Sequence, residues 1–280
     1  RVGLVDLVGG QDQPLLSDAH YIEKALAPTS DIIRADVGDL IADNPDAIIL
    51  SDVGRLTQGE TSALITWVEA GGVLIRFAGP RLAAQSDGLV PVTLRQGTRS
   101  LGGALAWDQP QKLDGFPPAS PFAGIVTPSD ALIRQQVLAE PDADLAARTW
   151  ARLEDGTPIV TGAERGQGLI VLFHVTARPD WSDLPYTAAF VSMLERTVSL
   201  RGQRLPRADG MGLYTPFRVL DGFGQLEPPD AEISPVQNQD WSTIEAGPYT
   251  PPGLYTGPDG MKALNVFRQP PVIAKNWPQN

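Results

Sequence analysis

Residues 46–79 read DAIILSDVGRLTQGETSALITWVEAGGVLIRFAG and decide the fold class. An apolar strand pattern (DAIILSDV) comes first, a helical pattern follows it and ends at Gly71–Gly72, and a second strand pattern (GVLIRFA) closes the segment. Thr57 and Glu60 have the T-x-x-E spacing of a capping box, which predicts where the helix begins. A strand, a helix and a strand in direct succession predict a βαβ unit with parallel strands.

The same alternation extends upstream of this segment. Residues 2–8 (VGLVDLV) form an apolar run and predict a buried strand. A helical pattern follows Ser17 and stops at Pro28, and residues 31–37 predict another strand. The first 80 residues therefore indicate an α/β domain with a mostly parallel sheet.

Downstream, the alternation is interrupted. Residues from about 89 to 144 are strand-like pieces and loops, and we interpret them as a β-rich insertion. Residues 146–154, 158–164 and 169–176 predict successive strands that are joined by tight turns. The stretch LPYTAAFVSMLERTVSL at 184–200 predicts a second strong helix, with Pro185 in its first turn.

The composition changes after Gly202. Residues 203–280 contain 12 of the 26 prolines and no helical period. We interpret this part as a small β-rich domain that ends in a tail at 269–280. The predicted domains are therefore an α/β domain at 1–202 and a β-rich domain at 203–280.

Composition excludes several classes of protein. The chain has 280 residues, a net charge of −11, a sequence pI near 4.6, no cysteine and two histidines. Nucleic-acid binding requires a basic face, so this charge argues against a nucleic-acid partner. Without cysteine there is no disulfide scaffold and no thiolate nucleophile. No motif predicts a cofactor, and two histidines are too few for a His-rich metal site.

Ligands of open α/β sheets bind beyond the carboxyl ends of the strands. The predicted strands place seven candidate cleft residues there: Asp6, Ser51, Asp52, Arg55, Gly79, His174 and Thr176. The glycine would let a ligand approach the backbone closely. We expect Asp52 and Gly79 to share one concavity, with His174 at its edge.

Ser51, His174 and Asp52 could form a catalytic relay, but residues of these types at strand ends more often have a structural role. Polar residues at strand ends usually cap or turn the chain, and a histidine that ends a buried strand is usually a satisfied core residue. We therefore assign no catalytic residue. Arg76, inside an apolar strand, is interpreted as a salt-bridged or edge-facing arginine. Scattered tryptophans such as Trp150 and Trp241 are interpreted as packing residues rather than sugar platforms.

Two segments, 46–79 and 166–198 (GQGLIVLFHVTARPDWSDLPYTAAFVSMLERTV), resemble the class I glutamine amidotransferase-like domain of bacterial Bat-type, aerotolerance-related membrane proteins. The resemblance covers roughly residues 1–200. It implies a flavodoxin-like sheet in the soluble, periplasmic part of an inner-membrane protein. Working amidotransferases carry a cysteine after the strand that here reads VLIRFAG, but residues 77–81 are FAGPR. Without a thiolate no glutaminyl thioester can form.

The resemblance and the missing cysteine together predict a non-catalytic extracytoplasmic module that binds a protein or a cell-wall component. Contact with the membrane is then expected only through segments outside this chain. Two alternatives stay open. One is a cysteine-free hydrolase or transferase that uses the strand-end cleft, and the other is a carbohydrate-binding module on the insertion and the C-terminal domain.

Overall fold

The computed structural model divides the chain into two compact units, Arg1–Gly202 and Gln203–Asn280. The described residues are 1–5, 17–85, 87–95, 104–117, 120–201, 213–230, 233–237, 240–241, 243–257 and 260–267. Asp6 and the predicted tail at 269–280 lie outside them. The boundary falls where the proline-rich composition begins.

Nine strands are described in the first unit. They are β1 (Val2–Val5), β2 (Ile32–Arg34), β3 (Ala47–Ser51), β4 (Val73–Phe77), β5 (Ala104–Gln111), β6 (Ile133–Val137), β7 (Thr149–Arg152), β8 (Pro158–Arg165) and β9 (Gly168–Phe173). Seven of them form one sheet in the order β2-β1-β3-β4-β9-β8-β7. The five strands from β2 to β9 in that order are mutually parallel, and β8 runs antiparallel to β9. The α/β class predicted from the sequence is therefore confirmed.

Six α-helices are described in the same unit. They are α1 (Asp18–Leu26), α2 (Val37–Asp43), α3 (Gln58–Glu69), α4 (Pro80–Ala84), α5 (Leu145–Arg148) and α6 (Ala188–Ser199). α2 and α3 pack on one face of the sheet through Leu40, Leu64 and Trp67. On the opposite face, Phe190 of α6 packs against Phe77 and Phe173.

The central strands are apolar because they are covered on both faces. β3, β4 and β9 have no exposed residue, and their Val, Ile and Leu side chains form the core. The capping box is formed as predicted, with the Thr57 hydroxyl accepting from the Glu60 N–H and the Glu60 carboxylate accepting from the Thr57 N–H.

Three local predictions differ from the structure. Residues 31–37 predict one strand, but β2 ends at Arg34 and α2 begins at Val37. α6 begins at Ala188, after a short 3₁₀ turn at Leu184–Tyr186, because the Thr187 side chain caps the Phe190 N–H. Part of the predicted strand at 146–154 is the single-turn α5.

The insertion contains β5 and β6, which form a two-stranded antiparallel sheet. Val137, at the end of β6, donates its N–H to the His174 carbonyl just after β9. The insertion is therefore joined to the carboxyl edge of the main sheet.

The second unit contains a small antiparallel sheet of β10 (Leu213–Leu220), β11 (Leu226–Glu227), β12 (Val236–Gln237), β13 (Gly253–Gly257) and β14 (Gly260–Leu264). Tyr214, Val236, Tyr255 and Leu264 form its buried core, against which Trp241 packs. In the parts of the chain that are described, no helix combines the length and apolarity needed to cross a bilayer.

Candidate functional site

The carboxyl edge of the parallel sheet brings several of the predicted residues together. Ser51 ends β3 and Asp52 follows it, while Gly79 lies between β4 and α4. His174 and Thr176 follow β9. Because parallel strands end at the same edge, these residues of distant sequence position become neighbours, as the topology of the predicted sheet requires.

The Asp52 side chain has a structural role at this edge of the sheet. Its backbone is left-handed, with φ of 44°. Its carboxylate accepts N–H groups from Gly79 at 2.9 Å, Leu82 at 3.0 Å and Arg81 at 3.3 Å, which are donors of the first turn of α4 and the residue before it. Burial raises the pKa of Asp52 above its ordinary value, although these three N–H groups act in the opposite direction. The side chain therefore caps α4 from a neighbouring strand.

The opening expected between Asp52 and Gly79 is filled. A Cβ added at Gly79 would lie 2.5 Å from Asp52 Cγ and 2.7 Å from Thr176 Cγ2. Glycine is thus required here so that two side chains can approach the backbone, rather than a ligand. The two residues are adjacent, but packed side chains occupy the space where we expected a concavity.

His174 lies in the interior and not at the edge of a cleft. It is fully buried, with Nδ1 2.7 Å from the Val137 carbonyl and Nε2 3.0 Å from the Thr161 hydroxyl. A carbonyl only accepts, so Nδ1 carries the proton and Nε2 accepts from Thr161. Burial lowers the pKa of His174 from 6.5 to about 4, against the opposing effect of the Val137 hydrogen bond. The ring is therefore neutral at pH 7.

The Ser51–His174–Asp52 relay does not form. The Ser51 hydroxyl donates to Asp18 Oδ2 at 2.9 Å, both ring nitrogens of His174 are engaged elsewhere, and Asp52 holds α4. Thr176 is buried, and within the described part of the chain its hydroxyl lacks a hydrogen-bond partner.

Two candidate residues remain, Arg55 and Asp6, and only Arg55 is among the described residues. Arg55 is exposed on the segment between β3 and α3, and Asp6 is not among the described residues. In the described ranges, no group of three or more His, Asp and Glu side chains is arranged to hold a metal ion.

Arg76 is the polar residue whose importance the sequence left unrecognised. It lies in the central strand β4, is fully buried, and so is salt-bridged but not edge-facing. Its guanidinium pairs with Asp87 and donates to the carbonyls of Val53 at 2.6 Å and Leu89 at 3.3 Å. Burial lowers the pKa of the guanidinium and Asp87 opposes that effect. The only signal of this role in the sequence was one charged residue within the apolar run VLIRF.

A groove of about 440 Å³ borders this ion pair. It is lined by residues between Asp87 and Leu94 and by Arg148. Its charged side chains already have partners, because Asp87 binds Arg76 and Arg148 donates to the Pro91 carbonyl at 3.2 Å. Both charged side chains that line the groove are therefore engaged within the fold.

Three of the tryptophans pack against other residues within their own units. Trp150 and Trp181 are buried. Trp241 packs against Tyr214 and Tyr255, with ring centroids 4.9 and 5.6 Å apart, in the core of the second unit. These contacts agree with the packing role expected for scattered tryptophans.

No known family model matches the chain, and no curated protein is similar to it in sequence. Among solved structures, the cytoplasmic protein STM3548 from Salmonella typhimurium is 15% identical with a TM-score of 0.54, and STM1381 from strain LT2 is 14% identical with a TM-score of 0.53. Each match covers 72% of this chain and 98% of the other. A beta-galactosidase from Rahnella sp. R3 is 13% identical over 75% of this chain and 34% of its own, with a TM-score of 0.44. At these identities the two Salmonella proteins indicate a shared α/β fold and nothing about activity.

Proposed function

We propose that the chain is a non-catalytic, extracytoplasmic module of a bacterial envelope membrane protein and binds a protein or cell-wall partner. In this proposal the first unit is a flavodoxin-like domain of the class I glutamine amidotransferase-like type, and its active site has become part of the fold. The membrane attachment is made by segments outside this chain.

The observation that carries the proposal is the state of the carboxyl edge. An amidotransferase needs an exposed nucleophile after β4 and a histidine that can take its proton. Here Gly79 follows β4, the Asp52 carboxylate fills the space beside it, and His174 is buried with both ring nitrogens bonded. These side chains stabilise the turn, the short helix and the insertion, which argues against a catalytic role for them and favours the non-catalytic interpretation.

The test measures both the cellular location of the protein and its activity on glutamine. In the bacterium that encodes the chain, an epitope-tagged parent protein should be cut by added protease in spheroplasts without lysis. Purified protein should release no ammonia from glutamine and should not be labelled by a glutamine-analogue electrophile. Protection from protease until lysis would contradict the proposed address. Glutamine hydrolysis that is lost in His174→Gln would favour the alternative of a cysteine-free hydrolase.

A further inference from the structure

The small sheet of the second unit has two faces, and one of them is buried by residues of the same unit. The pairing register puts Tyr214, Tyr255 and Leu264 on one face, where they are buried together. Lys262 shares this face, with its Nζ 4.2 Å from the centroid of the Tyr214 ring. We call this side the closed face, because the unit covers it with its own residues.

The opposite side, which we call the open face, is apolar at six of its ten positions. Directly paired residues share a face, so the register assigns ten residues to it: Leu213, Thr215, Arg218, Leu220, Leu226, Gln237, Leu254, Thr256, Met261 and Ala263. Leu213 is 55% exposed, Met261 54% and Leu226 48%. An antiparallel sheet with one covered face normally carries polar residues on the other, so this composition is unusual for a solvent-facing surface.

Exposed apolar side chains are concentrated in this unit. Of the ten large hydrophobic residues that are exposed in the described ranges, eight lie in the second unit. Phe223 is the most exposed of them, at 92%, in the β10–β11 turn that directly follows Leu220. The Asp221 carboxylate fixes that turn by accepting the N–H groups of Phe223 at 2.8 Å and Gln225 at 2.7 Å.

The charge of the open face permits a second copy of the chain as its partner. Arg218 is its one charged residue, and no carboxylate is among its ten members. The whole chain has a net charge of −11, so two copies repel each other wherever acidic surfaces meet. The open face is a surface on which two copies can approach without opposing carboxylates.

We propose that the open face is the interface of a homodimer, in which the sheets of two copies pack face to face. Two sheets that pack in this way interdigitate the apolar residues of their inner faces, as in a β-sandwich. The contact is isologous, because each copy contributes the same face. Burial of Leu213, Leu226 and Met261 supplies the attraction.

The size of the face sets the expected strength of this dimer. Stable interfaces use roughly 20–30 residues on each side. The open face supplies ten residues, with Phe223 beside it. The dimer should therefore be weak and concentration-dependent.

Sedimentation equilibrium of the full chain tests this proposal over about 1–300 µM. The variants Met261→Glu and Leu213→Glu each place a carboxylate on the open face, and each should raise the Kd at least about tenfold. Val126→Glu is the matched control, since Val126 is 85% exposed in the other unit and gains the same charge. Far-UV circular dichroism establishes that all variants are folded.

The salt dependence separates an apolar contact from an ionic one. Raising the salt concentration screens the repulsion between acidic copies, so it should strengthen the dimer. A monomer at every concentration would overturn the proposal. A dimer that survives both open-face variants, or that Val126→Glu weakens equally, would overturn it as well.

Discussion

His174 shows at the scale of a single residue how burial converts a candidate catalytic group into a structural one. Its ring joins the insertion to the sheet through Val137 and Thr161, and burial favours its neutral form. Protonation would place a positive charge in the interior and would turn Nε2 from an acceptor into a donor toward the Thr161 hydroxyl. The stability of the first unit should therefore depend on pH through this residue.

The pH dependence has a definite sign. The pKa of His174 is lowered from 6.5 to about 4 in the folded state, so the unfolded chain takes up the proton first as the pH falls. The contribution is fully present above pH 6.5, declines between pH 6.5 and 4, and amounts to about 3 kcal/mol. Urea unfolding at pH 7.5 and pH 4 should show a smaller difference in His174→Gln than in the wild type. His20→Gln, which changes the other histidine of the chain, should retain the wild-type difference. An equal difference in the free energy of unfolding between pH 7.5 and pH 4 in all three proteins would contradict the prediction.

Asp52 makes a second prediction at this scale. Asparagine tolerates the left-handed backbone but offers one acceptor oxygen to three N–H groups, so Asp52→Asn should lower the free energy of unfolding by about 1–2 kcal/mol. Asp52→Ala should cost more, because alanine neither accepts these bonds nor favours a positive φ. Asp36→Asn is the control, since Asp36 caps α2 without a side-chain hydrogen bond. Urea unfolding measures all three variants, and equal losses at Asp36 and Asp52 would argue against the capping role.

At the scale of elements, Arg76 connects three segments of the first unit. It lies in β4, contacts the carbonyl of Val53 after β3, and holds Asp87 and Leu89 after α4. Removing one partner of a buried ion pair leaves an uncompensated charge and typically costs about 3–5 kcal/mol. Replacing both partners costs less than the sum of the two single changes.

A double-mutant cycle measures this coupling. We expect Arg76→Met and Asp87→Asn each to lower the free energy of unfolding by about 3 kcal/mol, and the double variant to lose clearly less than their sum. Arg34→Met tests an exposed pair with Glu23 and should cost less than about 1 kcal/mol. Strict additivity of the two buried changes in urea unfolding would refute the proposed coupling.

The same scale shows what the sequence could predict. α3 was predicted because its start is encoded locally, in the capping box and the apolar stripe. α2 was missed because its pattern, VGDLIAD, contains a glycine and only two buried residues, Val37 and Leu40. The beginning of α6 was placed too early because Pro185 is compatible with a 3₁₀ turn as well as with a first helical turn.

The candidate site was predictable in position but not in role. Strand ends predict which residues meet at the carboxyl edge, and Ser51, Asp52 and Gly79 do meet there. Whether the space between them is open depends on where side chains point and on how the insertion packs. Val137, which fixes His174, comes from an insertion whose pairing no local pattern specifies.

At the scale of the whole molecule, the chain divides into two units. The sheet of the first unit has its own core, with helices on both faces, and the second unit has a separate aromatic core. A unit with its own core can in principle fold alone. The first unit should therefore be obtainable as a fragment.

Arg201 defines how that fragment should be cut. Its guanidinium donates to the Pro45 carbonyl at 2.9 Å and Asp46 Oδ1 at 2.8 Å, and its Nη2 lies 3.3 Å from Asn44 Oδ1. These bonds tie the end of the segment after α6 to the turn before β3.

We expect the fragment 1–202 to be folded by circular dichroism and to unfold cooperatively in urea. The fragment 1–200 should be about 1–2 kcal/mol less stable, because it lacks Arg201 and leaves three acceptors to water. Restoring residues 201–202 with Arg201→Ala should not recover the loss. An unfolded 1–202 fragment would show that the first unit depends on the second, and equal stability of the two fragments would show that Arg201 contributes nothing to the fold.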